Sequence, residues 1–169
     1  MRLMSEKLGN LEALCVRHLR MLLSAEELIA IKTPFLAEST RDSETREVLQ
    51  RYALDSREQA GQIRTILDRS SSDNTPLKCK AVYALFDESE ELVEDASHDD
   101  ICNSVVIGAA QRIKHYEIAV YEATAQYARL LGRAEDAGIL TAISEEERRE
   151  DKQLCTIAAR INGETVQAA

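Results

Sequence analysis

The chain contains no tryptophan, and aromatic residues make up only 4% of it, so its core has to be built mainly from Leu, Ile, Val and Ala. Two prolines and six glycines are too few for an all-β fold, which needs a turn every few residues. No apolar run approaches the roughly 18 residues of a membrane-spanning helix. Glu6 and Glu12 fall where a secretory signal would carry its apolar stretch. Basic residues number 21 against 30 acidic ones, a formal charge of −9. Such a surface has no general attraction for phosphate backbones or anionic lipid, so neither nucleic acid nor membrane is an expected partner. These features point to a cytoplasmic protein. Cys15, Cys79, Cys102 and Cys155 are far apart and form no CxxC pair. They read as buried free thiols rather than disulfides or a zinc site. GxSxG, P-loop, GxGxxG and HExxH motifs are also missing, and with no strands no nucleotide cofactor is expected.

What the sequence does have is length and helical periodicity. Its 169 residues, 44% hydrophobic and 30% charged, suit a single domain over 1–169. Small polar and Gly/Pro clusters at 34–43, 70–76, 97–100 and 132–138 separate segments with apolar residues at three- and four-residue steps. Five helices are predicted, over 5–37, 43–69, 76–96, 100–131 and 135–161. Thr75–Pro76 should start the third, Gly132 and Asn162–Gly163 should stop the last two, and Pro34 should kink or end the first. Residues 1–4 and 164–169 are expected to fray. Four long helices and one shorter one describe an all-α antiparallel bundle with the short helix in a crossover.

Most carboxylates are the solvated faces of these helices. Three lie inside apolar stripes, where an unpaired charge would cost several kcal/mol. Glu26 sits among Leu19, Leu22, Leu23, Ile29 and Ala30, Glu117 between Ile113 and Val120, and Glu147 between Ile143 and Leu154. Glu58 is a fourth candidate, after Leu54 but followed by Gly61, Gln62 and Thr65. Glu26 and Glu58 are 32 residues apart, Glu117 and Glu147 are 30 apart, and Gln62 and Asp151 follow the second members by four. Two hairpins packed together would bring four carboxylates to the middle of a bundle. Such a cluster needs cations or protons, and two iron or manganese ions per chain are the solution in ferritin-like proteins. Gln62 and Asp151 would flank the site. His115, two residues from Glu117, points about 200° away from it and is not expected to share the metal. His18 and His98 lie in no motif and read as exposed.

The segments SAEE (24–27), GQI (61–63), LKCKA (77–81), AAQRIKHYEIAVYE (109–122) and SEEERREDKQL (144–154) resemble the bacterial YciE/YciF stress-protein family. They extend from the first long helix to the last. The resemblance implies a ferritin-like bundle of five helices, assembly as a homodimer, and Glu26, Glu58, Glu117 and Glu147 at the centre. A di-metal centre there could support oxidation of ferrous iron or consumption of peroxide. Two positions depart from the family's pattern: Asp55 stands where members carry a His, and Lys114 where they carry a Glu before the His-Tyr-Glu triplet. A lysine there would pair with a carboxylate and stand in for part of the cationic charge. The alternative reading is therefore a metal-free bundle that binds a partner or supports an assembly.

Overall fold

The computed structural model describes residues 8–70 and 73–168. Five helices follow in order: α1 (Leu11–Ser39), α2 (Ser43–Arg69), α3 (Lys80–Asp95), α4 (Asp99–Leu130) and α5 (Ala134–Ala168). There is no strand among the described residues, and the all-α architecture of four long helices and one shorter one is as the sequence predicts.

Local chemistry sets the boundaries. Asn10 starts α1 later than predicted, its side-chain oxygen accepting from the Ala13 N–H at 2.8 Å. The predicted fraying of 1–4 lies outside the described residues. Pro34 does not end α1, which continues to Ser39. A proline removes one backbone bond, while Thr33, Leu36 and Ala37 beside it are buried and hold the last turns in place. Asp42 caps α2 at the predicted boundary, accepting from the Thr45 N–H at 2.8 Å and hydroxyl at 2.7 Å. Helix α3 begins at Lys80, not at Thr75–Pro76. The preceding segment is tied to α1 instead: the Leu77 N–H bonds the Arg20 carbonyl at 3.0 Å, and the Arg20 guanidinium bonds the Thr75 carbonyl at 2.8 Å. Gly132, at φ 75°, stops α4 as predicted. The Arg133 and Gly132 N–H groups reach back to Ala128 and Arg129 at 2.9 and 3.1 Å in a Schellman turn. Asn162–Gly163 does not stop α5, which runs on to Ala168. Ile161 is buried just before that pair, and Thr165 bonds both the Ile161 carbonyl at 2.9 Å and the Asp100 carbonyl at 3.3 Å.

The core divides into two clusters along the bundle. One joins Leu19, Leu22 and Leu23 to Ile63, Ile66, Tyr121, Leu140 and Ile143. The other joins Ile29, Leu36, Leu49 and Tyr52 to Phe86, Val106, Ile113, Leu154 and Ile157. Each long helix contributes an early stretch to one cluster and a late stretch to the other, in alternating order, which makes neighbouring helices antiparallel. Helix α3 packs on α4 and α1 and carries the chain back along the bundle between α2 and α4. The stretches between the two clusters belong to residues 24–26, 56–59, 114–117 and 144–147, and there the interior is polar.

Candidate functional site

Three carboxylates occupy that middle layer. Glu26 on α1, Glu117 on α4 and Glu147 on α5 are completely buried, as their apolar stripes predict. Helix α2 contributes Gln59 and Tyr52, not Glu58. The reason is helical phase: Tyr52, Ser56, Gln59 and Ile63 recur at three- and four-residue steps and all are buried, so residue 58 is turned outward. Glu58 and Gln62 are both exposed, and the expected convergence of four glutamates is reduced to three.

A lysine sits among them. Lys114 is 1% exposed, and its Nζ donates to Glu147 Oε2 at 2.5 Å and to Glu150 Oε2. The ammonium also lies over the Tyr52 ring, 3.5 Å from its centroid, a cation–π contact in a desolvated setting. The Gln59 amide donates to Glu147 Oε1 at 2.7 Å. The Tyr121 hydroxyl donates to Glu26 Oε1 at 2.6 Å, and the Tyr52 hydroxyl donates to Glu117 Oε2. Each tyrosine thus joins the polar layer to one of the apolar clusters.

One ammonium cannot neutralise three buried carboxylates, and the remaining charge is relieved by protons. Burial, reinforced by the Glu147 charge, pushes Glu26 up from 4.5 to about 7. Burial and the charges of Glu147 and Glu26 push Glu117 far above the usual carboxylate range. Glu26 Oε2 and Glu117 Oε1 have no other donor among the described groups, and the two carboxyls are neighbours. A proton held on one of them serves both. Burial alone would lower the Lys114 ammonium, but the carboxylates of Glu147, Glu117 and Glu150 outweigh it and hold the group above its ordinary value. The ground state at neutral pH is therefore Lys114 charged, paired with Glu147, beside a protonated carboxyl.

This donor set does not fit two bridging metal ions. The space nearest Glu147 and Glu150 is taken by an ammonium that repels a divalent cation. The second helix offers an amide in place of a carboxylate. Asp55 is half-buried beside Glu150, whose carboxyl bonds it and, together with burial, raises it to about 6. Among the described residues no group of three or more His, Cys, Asp and Glu is arranged to hold a metal ion. Asp151 does not reach the layer; its Oδ2 lies 3.0 Å from Nε2 of the exposed His115, at the α4–α5 surface.

The other single residues fall where their surroundings put them. His98 is exposed, whereas His18 is half-buried against the Tyr127 ring at 5.4 Å, which lowers its pKa by burial. All four cysteines are free thiols, but only Cys15 and Cys79 are buried; Cys102 is half-buried and Cys155 exposed. The functional residues that the carboxylate pattern passes over are Gln59, Tyr52, Tyr121 and Glu150. The phase of Gln59 with Tyr52, Ser56 and Ile63 is a signal that was available in the sequence. The capture of Lys114 by Glu150, a carboxylate three residues beyond Glu147, was not.

Residues 10–167 match the family described as Domain of unknown function (DUF892). The chain is 28% identical over 136 residues to Protein YciF of Escherichia coli (strain K12), covering 80% of this chain and 82% of that protein. Its structure is similar to that of the E. coli stress protein YciF, with a TM-score of 0.88 at 25% identity over 92% of this chain and 99% of that one. YcfI from Rhodopseudomonas palustris has the same fold, with a TM-score of 0.86 at 22% identity over 91% of this chain and 98% of that one.

Proposed function

The chain belongs to the DUF892 family, and from that membership we propose that it is a YciF-like, stress-related cytoplasmic protein whose bundle centre is held together by a lysine instead of metal ions. It then works as a homodimeric scaffold or partner-binding bundle, not as an iron or peroxide oxidase. The observation that supports this reading is Lys114: a buried ammonium bonded to Glu147 and Glu150, in the layer where Glu26 and Glu117 converge. Ammonium and carboxylic proton together balance the buried charge that a pair of divalent ions would otherwise have to balance. Glu58 and Gln62, exposed on α2, are not available to complete a ligand set without a rotation of that helix.

The test is elemental analysis of untagged protein purified without chelator, followed by anaerobic titration with ferrous iron while the melting temperature is recorded. The expected result is no stoichiometric metal and no shift in Tm, since nothing binds the folded state preferentially. Uptake of about two ions per chain, as in a di-metal bundle, with loss of uptake in Glu147→Ala, would overturn the proposal. Lys114→Glu supplies a positive arm, because it restores a carboxylate and removes the repelling charge. Iron binding by that variant and not by the parent is the expected outcome.

A further inference from the structure

A groove of about 740 Å³ runs between α3 and α4, outside the polar layer. Small-molecule sites occupy roughly 300–1,000 Å³, so the groove has room for a small ligand and its water. Ala81, Ala84, Leu85 and Glu88 form its α3 wall; they recur at three- and four-residue steps and so share one face of that helix. Arg112, His115 and Tyr116 form its α4 wall. Ala81 and Ala84 are small and exposed, and that is what opens the groove, because longer side chains there would fill it. One end is held by Cys79. Its N–H donates to Ser24 Oγ at 3.3 Å, and its Sγ lies 3.0 Å from the Tyr116 hydroxyl, which fixes the tyrosine ring.

The same contact sets the register of the two walls. Helices α3 and α4 are antiparallel neighbours joined by residues 96–98, and with Cys79 beside Tyr116, later positions of α3 face earlier positions of α4. Glu88 and Arg112 therefore lie towards the same end of the groove, on opposite walls. From them the surface of Leu85, Ala84, Ala81 and Tyr116 extends for about 10 Å, two helical turns. Glu88 and Arg112 are both exposed, and neither has a hydrogen bond or ion pair among the described residues. His115 is engaged with Asp151, which leaves the head of the groove to these two charges. Charge then selects the ligand. Glu88, with Asp87 and Glu91 exposed beside it, repels a simple anion, and the Arg112 guanidinium repels a simple cation. A molecule with both charges at one end and an apolar chain at the other meets neither penalty. We propose that the α3–α4 groove binds a free α-amino acid with an apolar side chain, its carboxylate on Arg112, its ammonium on Glu88 and its side chain along Ala84, Ala81 and Tyr116. A forked guanidinium–carboxylate bond gives the carboxylate its orientation. The site is separate from the lysine-centred interior and does not depend on it.

Titration calorimetry of the full chain with L-phenylalanine and with L-leucine tests it. Saturable binding of at least one of them is expected. The analogues 3-phenylpropanoate, which lacks the amine, and 2-phenylethylamine, which lacks the carboxylate, should bind about tenfold more weakly than L-phenylalanine or worse. Arg112→Ala and Glu88→Gln should each weaken amino-acid binding by a similar factor with unchanged helical circular dichroism, since both residues are exposed. Glu88→Gln should also narrow the gap between L-phenylalanine and 3-phenylpropanoate, a change of selectivity that a merely structural role would not produce. Ala84→Leu should block the groove, and Arg129→Ala, far along α4, should leave binding intact. Failure of both amino acids to bind the parent, or binding that survives Arg112→Ala and Glu88→Gln combined, would overturn the site. So would a parent dimer that dissociates in Ala84→Leu, because a second copy of the chain would then occupy the groove.

Discussion

Lys114 and Glu147, 33 positions apart on two adjacent helices, meet in the middle of the bundle at 2.5 Å with almost no exposure of either side chain. The pair exists because α4 and α5 form one antiparallel hairpin around the Gly132 turn, which sets residue 114 opposite residue 147. Its surroundings give it weight: Tyr52 below the ammonium, Gln59 on the far carboxylate oxygen, Glu150 on the second ammonium hydrogen.

Removing the cation alone should be severe. Lys114→Met leaves Glu147 and Glu150 without their counter-charge, and breaking a buried pair this way costs about 3–5 kcal/mol. The loss should be smaller at pH 5 than at pH 8, because the abandoned carboxylates can then take protons. Urea unfolding at the two pH values checks both the size and the trend.

The two neighbouring positions on α2 should behave oppositely. Glu58→Ala, at an exposed residue, should change stability by less than about 0.5 kcal/mol. Gln59→Ala removes the donor to Glu147 Oε1 and should cost about 1–3 kcal/mol. A reversed order in denaturant midpoints would show that residue 58, not 59, faces the interior.

The carboxyl protons give the fold a definite pH dependence. Glu26 is raised in the folded state from 4.5 to about 7, so the folded chain binds this proton more tightly than the unfolded one. Stability from this group is complete below about 4.5 and declines as pH rises towards 7. Glu117, held higher still, extends the decline into the alkaline range, and Lys114, also raised, loses its contribution only where the ammonium itself titrates. Thermal melts between pH 5 and 9 should show a falling Tm, and Glu26→Gln should flatten the slope between pH 5 and 7.

Tyr52 and Tyr121 are both fully buried, and burial beside carboxylates raises both phenols well above 10. In an alkaline ultraviolet titration they should ionise only when the protein unfolds. Tyr121→Phe should cost about 1–3 kcal/mol by leaving Glu26 Oε1 without its donor.

Apolar periodicity and caps were enough for the number, type and antiparallel order of the helices, because a stripe at three- and four-residue steps can be buried in few ways. They were enough also to put Glu26, Glu117 and Glu147 inside, each being surrounded on its own helix by residues that must be buried. Helix ends were less legible where distant groups compete with local signals, as when Arg20 holds the chain beyond Thr75 or Thr165 extends α5 past Gly163. The site itself was decided by tertiary structure. Whether residue 58 or 59 faces inward depends on a 100° difference of phase, signalled by the recurrence of Tyr52, Ser56, Gln59 and Ile63 and fixed by packing against α1 and α5. Whether a central lysine pairs outward or inward depends on which carboxylates another helix brings within 3 Å of it. The sequence determined that charge would be buried at the centre of this bundle, and the packing of α2, α4 and α5 decided that an ammonium and a proton would balance it.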